Sequence, residues 1–239
     1  MKKPVILFLL FTLSIYSQLK TSKISYGLVI GNDKVMDNGP MADYYKEAKK
    51  NAKYVSFSLD FNDNEMLFYE NMKMNGDNNN TSFSTAFSGV NGKYFKEKNS
   101  NIILNEVENK LLGNFLVKSS DNTKWVLSKE SKKIQNYLCY KATTDVTVTN
   151  EVGTFKRTVI AWYCPKLPFS FGPKAFCGLP GLIMELQDRN IVIGVTKIEL
   201  KTKSAVITKP NKGKIVTYEE YNKLIEDFSK KMKEENDGK

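Results

Sequence analysis

The sequence predicts an α+β fold, predominantly antiparallel β as a curved sheet or half-barrel, with a short N-terminal helix and a C-terminal amphipathic helix packed on the sheet. Three observations carry this expectation. Short aromatic and branched segments recur between Asn/Asp/Gly turns through the first half of the chain. Two long strand-like segments flank a central turn, "TNEVG". The only extended 3.6-residue periodicity lies at the C-terminus.

In chain order, "MKK" followed by "PVILFLLFTLSIY" and the small residues Ser14 and Ser17 reads as a secretory signal over residues 1–17, too short for a confident membrane span. No Cys follows it, so no lipid attachment is expected. Residues 18–239 then form a single β-rich domain. "PMADYYKEAKKNA" (40–52) sets Tyr44, Tyr45, Ala48 and Ala52 near one helical face. Strands are expected at 24–30, 52–61, 65–72, 81–87, 93–98 and 101–107, separated by "NDN", "NGDNNN" and "NG", a β meander. The oxygens of "NGDNNN" would suit calcium, but the closing Glu of the EF-hand is missing and a solvated hairpin loop explains them. Near the C-terminus Thr217 and Glu220 form a capping box, and Tyr221, Leu224, Ile225, Phe228 and Met232 repeat at helical spacing.

In the middle, "YLCYKATTDVTV" (137–148) and "TFKRTVIAWYCP" (154–165) pair, if the hairpin centres between Glu151 and Val152, so that opposed residue numbers sum to 303. Cys139 then faces Cys164, and Lys141 faces Trp162. A Cys139–Cys164 disulfide is expected in an oxidising compartment; Cys164–Cys177 is the competing pairing, and three cysteines leave one free.

Four of the seven prolines, Pro165, Pro168, Pro173 and Pro180, fall between this hairpin and the strand beginning near Leu182. Leu179-Pro180-Gly181-Leu182 fits a type II turn with Gly181 at positive φ. After it, Leu182, Met184 and Leu186 should share one face of a strand, and Ile183, Glu185 and Gln187 the other. "IVIGVTKIEL" (191–200) follows as its hairpin partner. The rigid loop either plugs one end of the sheet through Phe169, Phe171, Phe176, Leu179 and Leu182, or presents a fixed surface made of Trp162, Phe171, Phe176, Cys177, Leu179, Pro180 and Gly181.

The stretch "GPKAFCGLPGLIMEL" resembles the signature of the GLPGLI family, secreted proteins of Bacteroidota-type bacteria. "YLCYKATT" and "AWYCPKLPFSFGP" resemble its other ordered blocks; the first half of the chain is less specific. The resemblance implies a signal peptide, a β-rich body and, from the neighbourhood of the family's genes, an accessory role near outer-membrane receptors. It brings no established catalytic residues.

Composition narrows the chemistry. The chain of 239 residues has no histidine, which excludes in-chain Ser-His-Asp triads, Cys-His dyads and His-ligated metals. No metal or other cofactor is expected. The formal charge is +10, and +8 once Lys2 and Lys3 leave with the signal, which would suit an anionic surface. Arg157 and Arg189 are the only arginines, which argues against nucleic-acid recognition. The expected function is that of an exported protein, periplasmic first and cell-surface or extracellular second. It would be a non-enzymatic binding or accessory protein for an apolar ligand or an outer-membrane partner, without stable transmembrane insertion. The alternatives are a carboxylate-dependent hydrolase, in which carboxylates such as Glu185 and Asp188 would converge with a partner acid in a cleft, and a purely structural envelope protein.

Overall fold

A computed structural model describes residues 20–71, 80–150, 153–203 and 207–237. The signal segment and most of "NGDNNN" lie outside these residues. Twelve strands form one open sheet: β1 (Thr21–Ile30), β2 (Ser56–Phe61), β3 (Glu65–Glu70), β4 (Lys93–Glu97), β5 (Ile102–Asn109), β6 (Gly113–Ser120), β7 (Val126–Ile134), β8 (Tyr137–Asn150), β9 (Gly153–Cys164), β10 (Leu182–Asp188), β11 (Ile191–Lys203) and β12 (Lys214–Thr217). The order across the sheet is β12-β6-β5-β4-β3-β2-β1-β11-β10-β9-β8-β7. The chain therefore starts at the centre and meanders to one edge as β6. It restarts at the opposite edge as β7 and meanders back to pair β11 with β1. A final crossover adds β12 parallel to β6; every other pairing is antiparallel.

The helices are α1 (Lys34–Asn38), α2 (Ala42–Asn51), α3 (Ser82–Ser88) and α4 (Tyr218–Asp237). Helix α3 replaces the strand expected over 81–87. Phe83 and Phe87 share a face in either conformation, so their spacing does not discriminate. Tertiary contacts choose the helix: Ser84 Oγ donates to the Ala48 carbonyl at 2.8 Å, the two rings stack on Tyr44 and Tyr45, and Gly89 closes the helix at φ 66°. The capping box of α4 forms in both directions, Thr217 N–H to Glu220 at 2.8 Å and Glu220 N–H to Thr217 Oγ1 at 3.1 Å. Tyr221 and Ile225 pack against Phe115, Val117 and Val216, while Leu224 and Met232 stay exposed. Only the first part of the α4 stripe is covered by its own sheet.

The main core joins β1–β3 and β11 to α2 and α3 through Tyr26, Phe57, Phe61, Phe68, Tyr45 and Ala48, all essentially inaccessible. A second core lies on β8–β10 around Ala142, Val159, Ala161, Ile183 and Leu186. At about 25 cal/mol per Å2 of apolar area, side chains of this size contribute about 1.5–3 kcal/mol each.

Candidate functional site

The hairpin register holds as the residue numbers demand. Tyr140 pairs with Tyr163, Lys141 with Trp162 and Ala142 with Ala161, down to Asn150 with Gly153. Cys139 and Cys164 are brought together at the end of this ladder, and both are fully buried. Neither they nor Cys177 is bridged in this structure; all three are free thiols. Burial pushes the Cys139 thiol up to about 12, and the adjacent Cys164 thiol adds to the push. Burial also takes Cys177 up to about 12, with Lys96 opposing and Asp121 adding. Neutral thiols of this kind are poor nucleophiles.

The signature loop, residues 165–181, lies largely inside the protein. Phe171, Cys177, Leu179 and Gly181 are buried, Trp162 and Phe176 are half-buried, and Pro180 alone of the seven is exposed. Phe171 stacks against Phe61 and belongs to the main core; Phe176 and Leu179 belong to the second core. The loop thus bridges the two cores. Backbone hydrogen bonds fix it: Gly178 N–H to Ser170 O (3.3 Å), Leu182 N–H to Leu167 O (2.9 Å) and Ile183 N–H to Phe171 O (3.0 Å). Trp125 Nε1 donates to the Cys177 carbonyl at 2.8 Å.

The expected role of Gly181 needs correction. Its φ is not positive; Gly178 carries the positive φ, at 89°, so Leu179–Leu182 is not the expected type II turn. Gly181 is required by close approach instead, because a Cβ there would lie 2.2 Å from the Cys164 carbonyl oxygen. Likewise a Cβ on Gly172 would meet the Ile183 side chain at 2.7 Å. The expected alternation of β10 is also interrupted. A bulge between Ile183 and Glu185 returns Leu186 to the face of Ile183 and brings Glu185 to that of Trp162.

The two carboxylates suggested for a hydrolase, Glu185 and Asp188, lie three positions apart in the regular part of β10, so strand alternation alone turns them to opposite faces. Glu185 pairs with Trp162, and Asp188 with Val159 of the second core. Each has its own cation: Lys132 Nζ lies 2.7 Å from Glu185, and Arg157 Nε lies 2.8 Å from Asp188. Lys132 also sits 4.4 Å over the Trp162 ring. Glu185 and Asp188 thus do not converge with each other, and each is held by its own cation. Among the described residues, no group of three or more Cys, Asp or Glu gathers as a metal site would.

Sequence reading misses a depression on the sheet face turned away from the main core. The registers align Phe95, Leu104 and Lys118 in one row across β4–β6, and Lys93, Glu106, Leu116 and Ile215 in the next. Segment 207–212, between β11 and β12, crosses this face, with Ile207 packed among Phe95, Leu104 and Leu116. One flank is a groove of about 590 Å3 floored by Phe95, Ile102, Leu104, Leu116 and Ile215. The other is a polar recess of about 350 Å3 holding Asp60, Tyr69, Lys93 and Glu106. In the recess Tyr69 OH donates to Asp60 at 2.7 Å, and Lys93 pairs with the buried Glu106 at 3.1 Å. Burial, with Asp60 adding, pushes the Tyr69 hydroxyl up to about 12. The apolar alternation of β4 and β5 is the signal that residue order offers; the strands β6 and β12, not expected from it, complete the floor.

The family match falls on the signature rather than on the groove. A family model described as a protein of unknown function, Porph_ging, matches residues 149–185, from the tip of the β8–β9 hairpin into β10. No curated protein matches the chain. Among solved structures, the chain is similar to PNGF-II in its P21 crystal form (14% identity, TM-score 0.50), covering 86% of this chain and 33% of that one. The C2 form of PNGF-II matches at 17% identity and TM-score 0.48, covering 86% and 32%. This chain therefore spans about a third of the length of the solved structures it matches, and the likeness concerns the fold alone.

Proposed function

We propose that this chain is an exported, non-enzymatic binding protein of the cell envelope that holds an apolar ligand in the groove formed by β4–β6, β12 and segment 207–212. The groove carries this reading: its volume falls within the range of small-molecule sites, and its floor is apolar with a few polar groups at the margin. Export rests on the N-terminal apolar run, and the periplasm is the proposed compartment. Membership of the GLPGLI family rests on "CGLPGLIMEL", part of which falls within the matched residues 149–185. The same setting favours a Cys139–Cys164 bridge, since the two thiols already adjoin.

The burial of the signature loop supports a second statement: the motif is a structural plug, and the ligand site lies elsewhere. The uncovered apolar residues Leu224 and Met232 of α4 favour the competing reading, in which an outer-membrane partner docks there. Fluorescence of the neutral probe N-phenyl-1-naphthylamine separates them. The mature protein should enhance it, and Ile102→Glu with Ile215→Glu should abolish the enhancement. Both positions are at least half-exposed, so the fold survives the change. Enhancement that persists in this variant but disappears in Leu224→Glu/Met232→Glu would move the apolar site to α4.

A further inference from the structure

Given the reading of the groove as a ligand site, we infer that its ligand is an amphiphilic monoanion, a long-chain carboxylate, whose head group binds the Lys118 ammonium. Three charged side chains line the groove: Glu97, Lys118 and Lys209. Two are committed to each other. Lys209 Nζ lies 2.8 Å from Glu97 and 5.6 Å from the centre of the Phe95 ring, so this pair brings no net charge.

Lys118 differs. The register seats it beside Leu104, between that strand and Thr217 of β12, in the row of Phe95. Among the described residues it has no ion-pair or hydrogen-bond partner. A single uncompensated cation at the margin of an apolar floor selects a ligand with one negative end and an aliphatic body. A neutral apolar molecule would leave the ammonium unused, and a dianion would exceed it.

The lining sets the placement. Beyond segment 207–212 the recess is mostly polar, with Asp60, Glu106, Lys93, Lys209 and Lys212 around Leu67 and Pro210, so the aliphatic body belongs on the apolar floor of the groove, over Leu104 and Leu116, with the head at Lys118.

The test is competition of dodecanoate and 1-dodecanol for bound N-phenyl-1-naphthylamine, at a pH where the acid is ionised. The wild-type protein should prefer dodecanoate by about tenfold, the worth of one charge-assisted contact. Lys118→Met should abolish that preference by weakening dodecanoate while leaving the alcohol unchanged. Lys214→Met, a lysine on β12 outside the groove lining, should leave the preference intact. Equal competition in the wild type, or a preference that survives Lys118→Met, would overturn the assignment of a carboxylate while leaving the groove as an apolar site. Failure of both compounds to displace the probe would overturn the groove reading and this inference together.

Discussion

Gly181→Ala should destabilise this protein more than any other single-methyl addition in the signature loop. The new Cβ would sit 2.2 Å from the Cys164 oxygen, 2.5 Å from the Cys164 carbonyl carbon and 2.8 Å from the Pro165 nitrogen. Non-bonded carbons prefer about 3.5–4.0 Å, so the end of β9 and the start of β10 must separate by roughly 1 Å. All three obstacles are backbone, so no side-chain rotation relieves them. Overpacking of this kind costs about 1–3 kcal/mol. The movement also disturbs the bonds Leu167 N–H to Cys164 O and Leu182 N–H to Leu167 O, at 3.1 and 2.9 Å, each worth about 1 kcal/mol net. The sum is about 3–5 kcal/mol, or roughly 10 °C in Tm for a domain of this size. Urea and thermal unfolding of three variants check it. Gly178→Ala, with φ 89° but nothing nearer than 3.9 Å to its Cβ, should cost about 1–2 kcal/mol from backbone strain alone. Pro180→Ala, at an exposed site, should cost under about 1 kcal/mol. If Gly181→Ala proves no more costly than Gly178→Ala, close approach is not why the motif holds glycine there.

Lys174, in the same loop, supplies a pH test. Its Nζ donates to the Ser88 carbonyl at the end of α3, at 2.6 Å, and burial lowers its pKa to about 8, with Asp188 opposing and Arg157 adding. Between about 8 and the ordinary value of 10.5 the unfolded chain binds more protons than the folded one, so this group makes stability rise with pH across that window. Lys174→Met should remove the rise, read as the wild-type-minus-variant difference in urea midpoint from pH 7.5 to 10; a difference independent of pH would sink the account. For the cysteines, protein recovered from an oxidising compartment and alkylated after denaturation should label at Cys177 alone, and at all three after reduction. Labelling of Cys139 without reduction would refute the Cys139–Cys164 bridge.

Some of this molecule can be read from residue order because the responsible forces act locally. The capping box at Thr217 and Glu220 depends on residues three apart, and the 303-sum register of β8 and β9 depends only on a short turn and the two-residue period of strands. Both are legible in the residue order itself. Other features depend on what arrives from far along the chain. Phe83 and Phe87 satisfy strand and helix equally, and the Ala48 carbonyl, distant in sequence, decides for the helix. Gly181 reads as a turn residue, but the carbonyl of Cys164, opposite it on the next strand, is what excludes a side chain. The same loop reads as a plug, as a presented surface or as both, and its burial between the two cores depends on strands that residue order does not bring together. The groove is least legible, because its floor is assembled from β4, β5, β6 and β12 and its strap from residues 207–212. Sequence period fixes which way each side chain points, while only the packing of distant strands fixes what it points at.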